Sequence, residues 1–231
     1  MEIIDYSKIF VNNIIGFYGI SNIEFYNDLK KNKLFEQKVS YIDSNDVEFY
    51  TNTLKSEIKL NIKNKLIDKE VYIGLMNKYC KMLFVEEGLI NKKIINLSSS
   101  EKYKLYIILN LLLDSQIYIF SNIYRYLDKT NTKRLFEVLK ELKERGKTII
   151  IFDNVDRLYD ITDYVYLTKE NKVTISGKTK EVFTDVEALL KNGFDVPKLP
   201  MITYLAKKEK KIKLFYHNDV RDIIKDVYKH V

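Results

Sequence analysis

Residues 97–128, LSSSEKYKLYIILNLLLDSQIYIFSNIYRYLD, constrain the fold more than any other stretch of the chain. Ser98 and Glu101 stand at the Ser-x-x-Glu spacing of a capping box, in which hydroxyl and carboxylate satisfy orphan N–H groups reciprocally. Leu105, Ile108, Leu109 and Leu112 then recur at helical spacing. Ile117-Tyr118-Ile119-Phe120 is an unbroken apolar run of strand length, as expected of a parallel strand covered on both faces. The polar pair Ser121-Asn122 sits where that strand ends.

The flanking segments repeat the alternation. KTNTKRLFEVLKELKER places Leu135, Val138, Leu139 and Leu142 on one helical face, with Gly146 as a C-terminal cap. Residues 147–152, KTIIIF, make a second buried strand that runs into Asp153-Asn154-Val155. Upstream, EIID and KIFVNNII supply one or two short strands before the stretch Gly16-Phe17-Tyr18-Gly19-Ile20-Ser21-Asn22-Ile23. Residues 22–36 read as a helix opened by a second Ser-x-x-Glu box, Ser21 with Glu24. Val39-Ser40-Tyr41-Ile42 reads as a returning strand that leads to Ser44. Residues 69–90 read as helical, with Val71, Leu75, Tyr79 and Met82 as a packing stripe. Strands alternating with amphipathic helices predict an α/β domain with a parallel core sheet.

Composition narrows the function classes. A chain of 231 residues, 46% hydrophobic and 31% charged, is globular and long enough for one substantial core. The formal charge of +7 comes almost wholly from lysine. Such a surface fits either solvated lysine faces or attraction to anionic lipid or nucleic acid. Cys80 is alone, which excludes an internal disulfide, and His217 and His230 are too few for a histidine-based metal site. No run of about 18 apolar residues predicts a transmembrane helix. The opening MEIIDYSK lacks the regions of a signal peptide.

Taken together, the order and spacing of these segments resemble an ATP-binding cassette (ABC) ATPase. The resemblance implies a P-loop NTPase-like fold with a helical subdomain at about 55–113 and a trimmed N-terminal β subdomain. Residues 1–193 would form the ATPase-like domain and 194–231 a C-terminal helical extension. In the family a signature loop, Leu-Ser-Gly-Gly-Gln, opens the helix that here begins at 97–101. Leu97 and Ser98 match it, while Ser99, Ser100 and Glu101 replace Gly, Gly and Gln. Ser121 stands at the magnesium-linked Asp, Asn122 at the catalytic Glu, Asn154 at the switch His and Ser44 at the magnesium-sensing Gln. Leu127-Asp128 match the loop that closes the dimer. The phosphate loop, G-x-x-x-x-G-K-[ST], normally wraps anions with backbone N–H groups and a Lys. Gly16 matches its first Gly, but Ser21, Asn22 and Ile23 replace the rest; taken alone, Gly16 and Gly19 read as turn glycines before phosphate ligands.

Two further stretches resemble the energy-coupling factor (ECF), or cobalt-type, ATPases. Thr53-Leu54-Lys55-Ser56-Glu57-Ile58 matches Thr-Val-x-x-Glu-Ile, and the Gly-x-Asp-Val-Pro segment recurs within NGFDVPKLP. The resemblance covers most of residues 12–231. It implies a subunit that docks a membrane-spanning coupling protein and dimerises, on the cytoplasmic face of the cell membrane. Helices near 69–90 would form the docking groove, and the apolar C-terminal helix with Val220, Ile223, Ile224 and Val227 suits a dimer seam; each also fits plain core packing. Intact members use ATP and magnesium. With the Lys, both Walker B carboxylates and the His replaced, neither cofactor is expected here. The leading expectation is a catalytically inactive partner of an active ATPase subunit. The alternatives are a cytosolic pseudo-ATPase scaffold or regulator, a divergent active ATPase, and an ABC protein that binds nucleic acid, for which no aromatic-basic motif speaks.

Overall fold

The structure, a computed structural model, describes residues 13–19, 24, 39–65, 68–86, 88–89, 92–170, 172–210, 215–216 and 219–229. The expected strand EIID, the phosphate-loop positions Ser21, Asn22 and Ile23, and the helix over 22–36, apart from Glu24, lie outside the described residues. In chain order the strands are β1 (Ile14–Tyr18), β2 (Val39–Asp43), β3 (Ile117–Ser121), β4 (Thr148–Phe152), β5 (Tyr164–Lys169) and β6 (Lys172–Lys178). The helices are α1 (Leu54–Lys65), α2 (Lys69–Met82), α3 (Ser99–Leu111), α4 (Lys129–Glu144), α5 (Val155–Ile161), α6 (Thr179–Thr184), α7 (Val186–Lys191), α8 (Lys198–Lys210) and α9 (Val220–Lys229). The chain divides into two compact units, residues 26–152 and residues 1–25 with 153–231.

In the unit 26–152, β3 lies between β2 and β4 and pairs in parallel with both. All five residues of β3 and of β4 are buried. Parallel strands this apolar need cover on both faces, and the amphipathic helices supply it. α4 buries Leu135, Val138, Leu139 and Leu142, the face read from its periodicity. It ends as the sequence predicts: Gly146 takes φ 76°, its N–H donates to Lys143 O (2.9 Å), and Lys147 N–H donates to Leu142 O (3.0 Å). That pair of bonds is a Schellman motif, open to glycine without a Cβ penalty. Tyr118 is the polar exception inside β3. Its hydroxyl accepts from Ser115 N–H (3.0 Å) and donates to Leu111 O (3.3 Å), and burial pushes its pKa up.

α2 departs from the sequence reading. Asp68 caps its start by accepting from Glu70 N–H (2.8 Å) and Val71 N–H (3.1 Å). The helix stops at Met82 rather than running towards residue 90, because Phe84 turns left-handed (φ 48°). Phe84 N–H then bonds Lys81 O and Val85 N–H bonds Cys80 O, a Schellman stop without glycine. The packing stripe is rotated by one residue. Tyr72, Met76, Tyr79 and Cys80 are buried, whereas Val71 is 57% exposed and Leu75 and Met82 are half-buried. α2 packs against α3 and α4, and those neighbours set which side of the helix is covered.

The TLKSEI stretch acts as a local clamp. Thr53 Oγ1 accepts from Ser56 N–H (3.2 Å) at the start of α1. The buried carboxylate of Glu57 accepts from Thr51 N–H (2.9 Å) and Thr51 Oγ1 (2.8 Å). It also raises the Tyr72 pKa to about 12, after burial itself as the larger cause.

In the other unit, β5 pairs in parallel with β1 and antiparallel with β6, with a register shift between Leu167 and Thr168. β6 is half exposed with strict alternation, so the sheet content is mixed rather than purely parallel. Asp163 ties the start of β1: its Oδ2 accepts from Ile14 N–H (2.8 Å) and its own N–H donates to Ile14 O (2.7 Å). α6 and α7 pack beside α5 and α8 respectively, and α9 contacts α8.

The Glu57 clamp predicts a specific loss. Glu57→Ala leaves the Thr51 and Tyr50 N–H groups short of an acceptor, at a cost of about 1–3 kcal/mol. A lowered urea midpoint with unchanged m-value would register it; a shift within about 0.5 kcal/mol, the usual range of surface substitutions, would show the clamp to be idle.

Candidate functional site

The positions singled out by sequence fall on both units, and each half has its own local logic. In the unit 1–25 with 153–231, Gly16 lies within β1. A Cβ there would come within 2.9 Å of Leu158 Cδ2, 3.0 Å of Thr162 Cγ2 and 3.1 Å of Val165 Cγ1. Gly19 has φ 91°, and a Cβ would stand 2.1 Å from Thr168 O. Packing and backbone conformation therefore account for both glycines. Phe17 is buried with its ring stacked on Tyr166, centroids 4.9 Å apart.

The neighbouring bonds fasten this turn further. Thr168 Oγ1 donates to Tyr18 O (3.0 Å), and the Tyr18 hydroxyl donates to Asp195 Oδ2. Burial first, then the Asp195 hydrogen bond, raises the Tyr18 pKa to about 12. Asp195 belongs to the Gly-Phe-Asp-Val-Pro segment, and sequence reasoning gave this pairing no signal, since 177 residues separate the two.

Asn154, at the switch His position, caps α5. Its Oδ1 accepts from Arg157 N–H (3.1 Å), and its own N–H donates to Asp153 Oδ1 (2.8 Å). An amide in that role accepts for its own helix, and it carries no charge for phosphate.

In the unit 26–152, the carboxyl ends of β2 and β3 bring Asp43 and Ser121 into register. Ser121 is buried, and its carbonyl accepts from Ser44 N–H (3.3 Å). Ser44 is 2% exposed and its hydroxyl has no hydrogen-bond partner. Asn122 turns left-handed (φ 49°), with its N–H on Phe152 O (3.0 Å) and its O accepting from Arg125 N–H (3.1 Å). Asn tolerates that conformation better than most residues.

Asp43 is the carboxylate that sequence reasoning missed, although it directly precedes Ser44. It faces local donors: Oδ1 accepts from Asn45 N–H (2.8 Å) and Asn45 Nδ2 (3.0 Å), and Oδ2 accepts from the Tyr41 hydroxyl (3.2 Å). Arg125 donates to Asn45 Oδ1 beside it and lies over the Tyr126 ring.

The signature-loop positions form the capping box read from sequence. Leu97 is buried, whereas Ser98 and Ser99 are exposed and Ser100 and Glu101 half-buried. Ser98 Oγ accepts from Glu101 N–H (3.2 Å), while Glu101 Oε2 accepts from Ser98 N–H (2.8 Å) and Ser98 Oγ (2.7 Å). These bonds, the side-chain one foremost, hold the Glu101 pKa below its usual value. Its negative charge thus sits on the positive end of its own helix. Asp128 does likewise for α4, accepting from Asn131 N–H (2.7 Å).

Magnesium needs hard oxygen donors, usually carboxylates, and nucleotide phosphates need N–H groups and cations. The described residues at these positions do not fit them. The edge of β3 offers a serine and an amide, the adjoining Asp43 carboxylate accepts from Asn45, and the Glu101 carboxylate accepts from Ser98 at the start of its own helix. Among the described residues no three His, Cys, Asp or Glu side chains cluster as a metal site. No helix among them is long and apolar enough to cross a membrane.

The fold is that of an ABC ATPase cassette. A solved ATP-binding subunit of an ABC transporter superposes with a TM-score of 0.64 at 16% identity, over 76% of this chain and 82% of that one. CbiO1 from Clostridium perfringens, part of the ABC transporter complex CbiONQ, gives 0.63 at 18% identity over 85% and 88%. In sequence, the chain is similar to energy-coupling factor transporter ATP-binding proteins. It is 26% identical over 172 residues to EcfA2 of Streptococcus agalactiae, covering 74% of this chain and 61% of that protein. EcfA2 of Mycoplasma mobile is 24% identical over 187 residues, 80% of this chain and 60% of that protein. EcfA of Methanocaldococcus jannaschii is 23% identical over 187 residues, 80% and 67%. The match thus spans about three fifths of the length of the first two relatives. No protein-family model matches the chain.

The capping box carries a pH signature. A carboxylate whose folded pKa is depressed contributes stability that is present above its unfolded pKa and lost as pH falls through the folded one. Glu101→Gln should therefore cost up to about 1 kcal/mol at pH 7, reduced by solvent screening at the surface, and progressively less as pH falls below the usual carboxylate range to pH 3. Melting of wild type and variant at both pH values reads the difference; equal gaps would remove the ionic part of the cap.

Proposed function

We propose that the chain is a catalytically silent ATPase-like subunit of an ECF-type transporter, which pairs with an active ATPase subunit and docks a membrane-spanning coupling protein from the cytoplasmic side. The observation that carries this reading is the β3 edge. Ser121 and Asn122 replace both carboxylates on an otherwise intact cassette frame. Hydrolysis by a cassette requires magnesium held by carboxylate, cations on the phosphates and a polarised water. Losing one positioned electrostatic contact typically costs on the order of 10²–10³ in rate, and here the Lys, Asp, Glu and His positions are all altered. The similarity to EcfA proteins supports the transporter setting, and α2 lies in the region, near residues 69–90, where the family docks its membrane partner. No role in nucleic-acid binding is proposed.

In a pair with an intact ATPase, this chain would supply Leu97–Glu101 as the lid over its partner's phosphate loop. Ser99 and Ser100 add side chains where the family has glycines. Glu101 keeps its carboxylate on the α3 N-terminus, where an anion from the partner would otherwise bind. The site built from the partner's loop should therefore close poorly. The test is to express the chain with an intact ECF ATPase and its coupling protein, and to purify the complex in detergent. Co-purification is expected, and Ser99→Gly, Ser100→Gly and Glu101→Gln together should raise ATP turnover severalfold. Unchanged turnover in a verified complex would leave the chain as scaffold alone. Failure to co-purify with either protein would favour a regulator unconnected to transport.

A further inference from the structure

Charge is distributed unevenly along this chain. Between residues 198 and 229 nine Lys and Arg stand against four Asp and Glu, so this segment holds +5 of the total +7. The same segment exposes much apolar surface. On α8, Ile202 and Leu205 are 44% and 45% exposed. On α9, Val220, Ile224 and Tyr228 recur at four-residue spacing as an exposed stripe, beside the buried Ile223. Phe215, between the helices, is 76% exposed.

The two helices touch, and their open sides meet in a hollow of about 520 Å³. Leu199, Ile202 and Val220 give it an apolar wall, and Arg157 and Lys198 stand at its polar side. The acidic residues there are answered: Asp156 pairs with Lys198 (3.6 Å), and the Asp160 carboxylate feels Lys180 and Arg157. Lys207 and Lys208 lie over the Tyr216 and Tyr204 rings, with their aromatic neighbours holding the stems along the surface.

We infer that the α8–α9 face docks on an anionic phospholipid surface. This goes beyond the proposed transporter role and does not depend on it. The amphipathic helix α9, with exposed Val220, Ile224 and Tyr228 beside Arg221 and Lys225 and with Phe215 exposed ahead of it, has the pattern that seats at a headgroup boundary. Basic residues near such a surface add attraction that decays within a Debye length. A second copy of the chain fits less well, because each copy would bring the same +5 segment against the other. Nucleic acid is disfavoured by the aliphatic stripe, which has no role on a phosphate backbone.

The experiment is co-sedimentation of the full chain with vesicles of phosphatidylcholine alone, or with phosphatidylglycerol added at one part in three. Binding to the anionic vesicles should exceed that to neutral ones about tenfold at low salt and fall as salt rises. Phe215→Ser with Tyr228→Ser should cut the bound fraction severalfold. Lys207→Glu with Lys208→Glu should remove the preference for anionic lipid. Both pairs are surface changes, and an unaltered circular dichroism spectrum confirms the fold. Equal binding to both vesicle types, or none, would overturn the inference. So would retention of duplex DNA without vesicle binding, or a dimer in solution that the Phe215 and Tyr228 changes disperse.

Discussion

Strand β3 is fixed from both sides at once, and the chemistry of the cassette edge depends on that. Each residue from Ile117 to Ser121 has a partner in β2 and another in β4, and none is exposed. A slip of one residue would turn every side chain to the other face. It would also pull the Tyr118 hydroxyl away from Ser115 N–H and Leu111 O, stranding polar groups in the core. Register is thus over-determined, and Ser121 must end beside Asp43 and Phe152. What the edge can bind is decided by the residue types at those rungs. Here they are a serine, a carboxylate bound to its own loop, and a phenylalanine.

The same economy appears at the helix starts. Glu101, Asp128 and Asn154 each satisfy an N–H group of the helix that they open or cap, or of its cap residue. Four N–H groups lack intrahelical partners at any helix start, so side chains that fill them stabilise the helix and also occupy its anion site. On the proposed reading, in which the chain does no phosphate chemistry, those positions serve the fold alone. Gly16 and Gly19 belong to the same pattern, since close packing and a positive φ explain them without a ligand.

Much of this was legible in the sequence where the determinants are local. The Ser98–Glu101 box, the α4 face and the Gly146 stop depend on residues within seven positions of one another, and all formed as read. The α2 stripe did not, because Val71 and Tyr72 are both apolar enough to lead a stripe, and only the neighbouring helices choose between them. Its early stop was hidden too, since Phe84 takes the left-handed turn that glycine normally announces. Long-range pairings such as Tyr18 with Asp195, and the orientation of Asp43 towards Asn45, leave no trace in spacing. Glu57 was visible as a family-like residue, yet its work as a clamp on Thr51 emerged only from geometry.

The central claim is that this cassette frame has exchanged phosphate chemistry for local structure. Calorimetric titration of ATP with magnesium into the purified chain tests it most directly. The account predicts no saturable heat at millimolar nucleotide, with or without the metal. Micromolar affinity that disappears when magnesium is chelated would contradict it.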